Sequence, residues 1–456
     1  MDLNTANHIY CVGIGGIGIS GLAQLLYWQG KPVSGSDLAS SIITESLRRD
    51  GIPVVIGEPE PSHLPAGADC VIYSLAIQPD HPELREAKSR GVVTLSYPEA
   101  VGQYTRNKYL IAVSGTHGKT TATAMLGQVL VEAGFDPTVL VGSRLAAFNG
   151  NVRLGKSKYF VLEADEFGRA FLQYHPDMAI LNNIEADHLD VYTDVEDIEK
   201  TFQKYVSQVK PDGWLVANAD DPRIESIIKK SVRRTTSFGI GDGEYRGTLE
   251  QLVGEVVFTE PHVGRVVLQV PGRHNVMNAL AVIAASQLLR IKPSVVKKAL
   301  ENFHGLWRRF EIVGQCQGAP VISDYAHHPT AFRVTLQAAR EYYPEKKIIA
   351  VFQPHHRHRT KALYDEFLNA LELSDELILA EIYDVAGRED NTTVGVSSRQ
   401  LVEDLKKRKV VVSYAKDIEI AETLARQKAT TNSVILVMGA GTIDAVARNL
   451  VDKNNG

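Results

Sequence analysis

The chain has 456 residues, more than one ordinary domain holds, so we expect two to four domains, each with its own core. A hydrophobic content of 44%, a charged content of 23% and a net charge of −5 are typical of a soluble globular protein and give no signal for nucleic acid as a partner. Three widely separated cysteines are typical of a reduced cytosolic protein. Because the sequence has neither a signal-peptide pattern nor an apolar run near the ~20 residues of a membrane span, we expect a cytoplasmic protein without a membrane partner.

The first hundred residues alternate predicted strands and helices. A strand at 8–12 leads into a glycine turn, in which Gly13, Gly15 and Gly18 fit G-x-G-x-x-G, and Asp37 follows about twenty residues later. Such a turn admits a pyrophosphate, and the acid can accept a hydrogen bond from a ribose hydroxyl. Taken alone, this pattern indicates NAD and a dehydrogenase. A dehydrogenase would not need the second phosphate-binding loop that lies further along the chain. The presence of both loops therefore favours another diphosphate ligand at this first turn.

That second loop lies between a predicted strand at 109–113 and a predicted helix at 122–133, and it reads Gly115-Thr116-His117-Gly118-Lys119-Thr120-Thr121. Glycines let backbone N–H groups approach phosphate oxygens, and the helix N-terminus adds its positive dipole end. Lys119 can reach the outer phosphates, and the Thr120 hydroxyl can hold magnesium. Position 113 is Val where the usual loop has its first glycine, so this loop is shorter. The sequence therefore predicts a site for a nucleoside triphosphate.

Acidic residues follow the next two predicted strands. Glu163-Ala164-Asp165-Glu166 ends the strand that begins at 159, where a carboxylate can bind the metal that bridges the phosphates. A solvated acidic turn is the alternative. His188 lies within the segment that ends the following strand and could bind a second metal, although the hardness of magnesium favours a structural or acid–base role for an imidazole.

The remaining sequence predicts an antiparallel insert at 234–271, a helix at 274–289 and another nucleotide-fold-like sheet from about 305. Asn275 and Asn278 share a helix face, which suits either the edge of a purine or an ordinary helix cap. Arg309 begins the last part and could contact a terminal phosphate. Histidines and arginines are concentrated at two strand ends, 324–330 and 352–360, where they would suit a ligand with a carboxylate or a phosphate.

Seven motifs appear in order, and together they resemble the Mur ligases of peptidoglycan synthesis: G-T-H-G-K-T-T, E-A-D-E, D-H-L-D, H-N-x-x-N-A, R-R-F, D-Y-A-H-H-P-T and F-Q-P-H. The resemblance extends from Gly13 to Gly441. It implies a three-domain α/β fold: a Rossmann-like UDP-sugar-binding domain at 1–106, a central P-loop ATPase-like domain at 107–304 and a Rossmann-like amino-acid-binding domain at 305–456. It also implies an ATP- and Mg²⁺-dependent ligase for UDP-N-acetylmuramate and an amino acid, as a monomer or weak homodimer.

The resemblance implies roles for individual residues, motif by motif. The residues expected to bind ATP are Gly115, Thr116, His117, Gly118, Lys119, Thr120, Thr121, Asn275, Asn278, Arg309 and Asp324. Magnesium is expected at Thr120, Glu163 and His188, and catalysis at Lys119, Glu163, His188 and Arg309. The other substrates are expected to contact Gly15, Gly16, Ile17, Asp37, Ser74, Tyr325, His327, His355 and Arg359.

Within the family, the glycine turn and the F-Q-P-H segment favour the branch that adds L-alanine. Ala326 and the segment 181–185 also resemble the branch that attaches a recycled tripeptide to the same UDP-sugar. A dehydrogenase and a non-catalytic nucleotide-binding regulator are the alternatives from other classes. Mere binding needs no phosphoryl-transfer residues, so Glu163, His188 and Arg309 argue against a regulator.

Overall fold

The computed structural model describes residues 3–188, 191–384 and 396–451. Leu189 and Asp190, the last two residues of the D-H-L-D motif, lie outside the described residues. The chain divides into two compact units, one formed by Met1–Glu185, Glu196–Tyr245 and Ala281–Ala299, and the other by Ala186–Val195, Arg246–Leu280 and Leu300–Gly456. None of the helices in the described parts is long and apolar enough to cross a membrane.

The first unit begins with a five-stranded parallel sheet in the order β3-β2-β1-β4-β5. Its elements are β1 Ile9–Val12, α1 Ile17–Trp28, β2 Val33–Asp37, α2 Ile42–Arg49, β3 Val54–Ile56, β4 Cys70–Tyr73, α3 Pro82–Ser89, β5 Val93–Ser96 and α4 Tyr97–Thr105. All four residues of β1 are buried, because this central strand is covered on both faces. The first and second strands therefore end at one edge, where the glycine turn lies.

A larger sheet of eight strands follows in the order β13-β12-β11-β10-β6-β9-β7-β8. Its elements are β6 Tyr109–Ser114, α5 Lys119–Glu132, β7 Thr138–Leu145, β8 Gly150–Arg153, β9 Tyr159–Glu163, β10 Met178–Leu181, α6 Val195–Ser207, β11 Trp214–Asn218, α7 Pro222–Lys230, β12 Arg234–Gly239 and β13 Tyr245–Arg246. Strand β6 pairs in parallel with both β9 and β10. The ends of these three neighbours bring the phosphate loop, the acidic segment and residues 182–185 to one sheet edge.

The prediction of an antiparallel insert over 234–271 is correct only in part. Strand β12 pairs in parallel with β11 and belongs to the large sheet. The antiparallel insert has three strands, β14 Thr248–Gln251, β15 Val256–Glu260 and β16 Gly264–Leu268. The error arose because the Gly-containing turn after β12 resembles a hairpin loop, and local sequence does not reveal which strand lies alongside. The helices α8 Arg273–Leu288 and α9 Pro293–Glu301 follow.

The C-terminal sheet has six strands in the order β17-β18-β22-β19-β20-β21, and only the β17–β18 pair is antiparallel. Its elements are β17 Glu311–Cys316, β18 Ala319–Asp324, α10 Pro329–Tyr342, β19 Lys347–Phe352, α11 Arg357–Ala362, α12 Tyr364–Leu371, β20 Glu376–Ala380, α13 Ser398–Lys407, β21 Val412–Ala415, α14 Ile418–Lys428, β22 Ser433–Met438 and α15 Asp444–Leu450. Buried apolar clusters cover both faces, as in a doubly wound sheet. The domain boundaries at 106/107 and 304/305 stay predictions; they fall between α4 and β6 and between α9 and β17.

Candidate active site

The phosphate loop connects β6 to α5 through two glycines with positive φ. Gly115 has φ 134°, and a Cβ there would lie 2.9 Å from the Asn183 backbone nitrogen. Gly118 caps α5 in the left-handed region, and no side chain caps this helix end. The Ala122 N–H donates to the Gly118 carbonyl at the start of α5, so the N–H groups of Lys119, Thr120 and Thr121 precede the regular hydrogen bonds of the helix. These donors can bind an anion.

The first half of the loop is held by the segment after β10. The Thr116 N–H donates to the Asn183 carbonyl at 3.0 Å, and the His117 N–H donates to Asn183 Oδ1 at 2.7 Å. The Glu185 N–H donates to the Thr116 hydroxyl at 2.9 Å. The His117 ring also lies 3.5 Å from a Glu185 carboxylate oxygen. The expected nucleotide contacts of Thr116 and His117 stay predictions, and their backbone donors already bind protein.

Lys119 lies among carboxylates at the end of β9. Its Nζ is 2.7 Å from Glu166 Oε2 and 3.5 Å from Asp165 Oδ1. Only 3% of the Glu166 side chain is exposed, and this burial raises its pKa to about 8, against the lowering effect of Lys119. Burial lowers the pKa of Lys119, but Glu166 and its neighbouring acids outweigh that effect and leave the pKa raised. The carboxyl groups of Glu163, Asp165 and Glu166 therefore keep Lys119 charged and favour a proton on Glu166, the most buried of the three.

Thr120 and Glu163 bring two hard oxygen donors together beside the phosphate loop. The Thr120 hydroxyl donates to Glu163 Oε1 at 2.9 Å. The Gly142 N–H donates to the other carboxylate oxygen at 2.7 Å and so fixes its orientation. A hydroxyl and an oriented carboxylate are donors that magnesium prefers, so these residues fit the ion that the sequence predicts here.

In the first sheet, the glycine turn is fixed by side chains from outside it. The Gly15 N–H donates to Asp37 Oδ2 at 2.8 Å, so Asp37 supports the turn itself. The Ile17 carbonyl accepts a hydrogen bond from Asn151 Nδ2 on β8 at 2.5 Å. Gly16 caps α1 without a side-chain hydrogen bond. Ser74 directly follows β4, and a Cβ added to Gly13 would lie 3.3 Å from the Ser74 Cβ. These substrate contacts stay predictions.

In the second unit, the Tyr325 ring lies close to two guanidinium groups. Arg308 Cζ is 5.0 Å and Arg309 Cζ is 5.1 Å from the centroid of its ring. The neighbouring Asp324 is buried and accepts hydrogen bonds at 2.7 Å from the backbone N–H groups of Phe310 and Ala326. Burial raises its pKa. Asp324 thus links the R-R-F segment to the D-Y-A-H-H segment, and its ribose contact stays a prediction.

The two histidine-rich strand ends meet in one cluster. The His327 ring centroid lies 5.3 Å from that of Tyr325 and 5.9 Å from that of His355. Arg359 NH2 lies 3.0 Å from Asp187 Oδ1, with both side chains nearly buried. Desolvation opposes ionisation of Asp187, but Arg359 outweighs it and holds the pKa of the carboxyl well below its usual range. The adjacent His188 lies with its Nε2 3.9 Å from Asp187 Oδ2.

Asn275 and Asn278 share a helix face, as predicted, and they bond to each other. Asn278 Nδ2 donates to Asn275 Oδ1 at 3.2 Å, and Asn275 Nδ2 donates to the Pro271 carbonyl at 2.7 Å. Both side chains are buried. Their adenine contacts stay predictions.

The individual roles of Glu166, Asn183 and Asp187 were not predicted from the sequence. Glu166 and Asp187 lie within the E-A-D-E and D-H-L-D motifs. The motifs could therefore be found in the sequence, but the sequence did not indicate which acid of each motif contacts Lys119 or Arg359. Asn183 belongs to the segment after β10, where its backbone and side chain both hold the loop. Partners this far away along the chain leave no local pattern.

The fold and the phosphate loop define the class of this protein: a nucleotide-dependent α/β enzyme. Three family models match successive parts of the chain: "Mur ligase family, catalytic domain" at residues 8–109, "Mur ligase middle domain" at 113–286, and "Mur ligase, glutamate ligase domain" at 308–441. The chain belongs to the Mur ligase family. The prediction of a three-domain α/β fold is confirmed.

Two relatives and one solved structure are UDP-N-acetylmuramate–L-alanine ligases, and a second solved structure is a murein peptide ligase. The UDP-N-acetylmuramate–L-alanine ligase from Caldanaerobacter subterraneus subsp. tengcongensis is 37% identical, and the match covers 100% of this chain and 99% of the relative. The one from Clostridium acetobutylicum is 40% identical, and the match covers 98% of this chain and 97% of the relative. The crystal structure of a UDP-N-acetylmuramate-alanine ligase from Thermotoga maritima matches with a TM-score of 0.83 at 30% identity, covering 97% of this chain and 98% of that one. A murein peptide ligase from Psychrobacter arcticus matches with a TM-score of 0.75 at 25% identity and the same coverage.

Proposed function

We propose that this protein is an ATP-dependent ligase that joins L-alanine to UDP-N-acetylmuramate in the synthesis of peptidoglycan precursors. The observation that carries the proposal is the phosphate loop with Lys119 beside an acidic strand end, in a chain that aligns along its whole length with L-alanine ligases. The tripeptide ligase is the second candidate, supported by the match to the murein peptide ligase at lower identity.

The reaction must overcome the low reactivity of a carboxylate towards an amine. Transfer of the γ-phosphoryl group of ATP to the carboxylate oxygen forms an acyl phosphate and ADP. The amine nitrogen then attacks the acyl carbon, loses a proton, and phosphate leaves with the original carboxylate oxygen. Lys119 and the N–H groups of the first turn of α5 are proposed to bind and neutralise the phosphates, and Arg309 is proposed as a further phosphate contact. Thr120, Glu163 and His188 are proposed to hold magnesium, which when bound neutralises phosphate charge.

The cluster of Tyr325, His327, His355 and Arg359 is proposed to bind the amino acid. Its arginine and imidazole groups suit a carboxylate. A dehydrogenase is disfavoured because Asp37, which would contact the ribose of NAD, accepts a hydrogen bond from the Gly15 N–H through Oδ2. We propose a cytoplasmic location, where ATP and UDP-sugars are found, and a monomer or weak homodimer.

Phosphate release from ATP tests this proposal. The protein is incubated with magnesium, UDP-N-acetylmuramate and, in separate reactions, L-alanine, glycine, L-serine or the tripeptide. We expect the fastest release with L-alanine and little release without an amine. Fastest release with the tripeptide would transfer the assignment to the second candidate, and a change in NADH absorbance without phosphate release would favour a dehydrogenase.

A further inference from the structure

The Tyr97 side chain is half-buried, and it lies outside the sequence motifs described above. It is the first residue of α4, and Ser96 and Glu99 form a capping box that fixes this helix start. The Ser96 N–H and hydroxyl donate to Glu99 Oε2 at 2.8 Å and 2.6 Å. The capping box therefore fixes the backbone from which the Tyr97 side chain extends.

The Tyr97 ring packs directly against the glycine turn of the first sheet. A Cβ on Gly18 would lie 2.8 Å from Tyr97 Cζ and 2.9 Å from its hydroxyl oxygen. Only glycine leaves room for the ring at this distance. The hydroxyl thus lies beside the first turn of α1, where the sequence predicts the diphosphate of the UDP-sugar.

Tyr97 also lies near the acids at the end of β9. Burial raises the pKa of its phenol, and the negative charges of Glu163 and Asp165 raise it further. Helix α4 packs on Phe167–Gln173, which directly follows the acidic segment, and a Cβ on Gly102 would collide with the Gln173 carbonyl oxygen. The phenol therefore remains a neutral hydrogen-bond donor beside the glycine turn, within the electrostatic influence of the acids at the end of β9.

We infer that the Tyr97 hydroxyl donates a hydrogen bond to the carboxylate of the sugar-nucleotide that the enzyme activates. The inference rests on the proposed function. If the diphosphate lies at the glycine turn and the γ-phosphate at Lys119, the sugar that carries the acid must extend between them, past Tyr97. A carboxylate close to Glu163 and Asp165 is repelled by their charges, and a hydrogen bond from a neutral phenol offsets part of that repulsion.

Tyr97→Phe removes the hydroxyl and keeps the ring against Gly18, so it is the variant that tests this contact. The dissociation constants of UDP-N-acetylmuramate and of UDP, which lacks the acid, are measured by calorimetry without ATP, together with kcat/KM for UDP-N-acetylmuramate. Removal of a hydrogen bond to a charged group costs roughly tenfold to a hundredfold. We expect a loss of that size in affinity or kcat/KM for UDP-N-acetylmuramate, with the affinity for UDP unchanged.

Tyr104→Phe is the matched control, because Tyr104 lies on the same helix and its hydroxyl accepts a hydrogen bond from Gln29 Nε2 at 2.7 Å. This variant should leave both affinities unchanged, even if its melting temperature falls. If Tyr97→Phe does not fold, Tyr97→Leu replaces it, with the same expected selective loss.

The inference is wrong if Tyr97→Phe keeps wild-type affinity and kcat/KM, or if UDP and UDP-N-acetylmuramate weaken equally. The contact with the acid is also refuted if the wild-type protein binds UDP-N-acetylmuramate no more tightly than UDP. If the wild-type protein binds neither ligand, the proposed function is refuted instead.

Discussion

Lys119 Nζ donates a buried hydrogen bond to Glu166 Oε2 at 2.7 Å, and burial raises the pKa of this acid to about 8. The ammonium expected on the terminal phosphates of ATP thus has a carboxyl group of the protein as its partner. ATP must compete with Glu166 for Lys119, and each binding event leaves a buried acid without its ammonium. The strength of this pair should therefore affect nucleotide affinity directly.

Glu166→Gln should tighten ATP binding. The substitution keeps the shape of the side chain. Above about pH 8, where Glu166 is ionised, it also removes the competing charge and a source of repulsion for the phosphates, an effect of about 1 kcal/mol or more. The dissociation constant of ATP, measured above that pH with UDP-sugar absent, should fall several-fold. Weaker binding in this variant would mean that Glu166 positions Lys119 for the nucleotide and does not compete for it.

The same substitution should change how stability depends on pH. The pKa of Glu166 is raised from 4.5 to about 8, so between these values the folded protein holds a proton that the unfolded chain has released. Its contribution to stability is complete below the lower value and is lost as pH rises towards the upper one. The melting temperature should fall less steeply from pH 5 to pH 8 in Glu166→Gln than in wild type. Equal slopes would show that Glu166 is ionised throughout.

Lys119→Ala should abolish turnover and leave the binding of UDP-N-acetylmuramate nearly intact. The reason is that Lys119 serves the triphosphate, whereas the sugar-nucleotide is expected at the glycine turn of the first sheet. Steady-state phosphate release and calorimetry with UDP-N-acetylmuramate separate the two effects. Lys156→Ala, at an exposed lysine, is the control and should keep full activity. Undiminished turnover in Lys119→Ala would refute the ATP assignment.

Arg359→Ala should destabilise the protein strongly, because it leaves the Asp187 carboxylate buried without its partner. Breaking a buried ion pair from one side costs about 3–5 kcal/mol. Adding Asp187→Asn to this variant removes the stranded charge and should recover part of the loss. Urea denaturation of the two single variants and the double variant measures the coupling. Additive losses would contradict a direct Arg359–Asp187 interaction.

The buried strands and the phosphate loop could be predicted because their signals are local. Continuous apolar runs mark β6, β9 and β10, and the loop residues 115–121 follow one another in sequence. The Lys119–Glu166 pair joins residues 47 apart, and the Arg359–Asp187 pair joins residues 172 apart, so both depend on which strands become neighbours. For the same reason β12 was wrongly assigned to the insert, since strand pairing is settled by the whole sheet.

The fate of the carboxylate oxygen tests the central claim most directly. UDP-N-acetylmuramate labelled with ¹⁸O in its carboxylate is converted with ATP and L-alanine, and the products are analysed by mass spectrometry. If the acid is activated as an acyl phosphate, one labelled oxygen must leave in inorganic phosphate for each amide formed, and the other must stay in the amide. Phosphate without label, or label in AMP, would contradict the account, because the γ-phosphoryl group would not then have joined the acid.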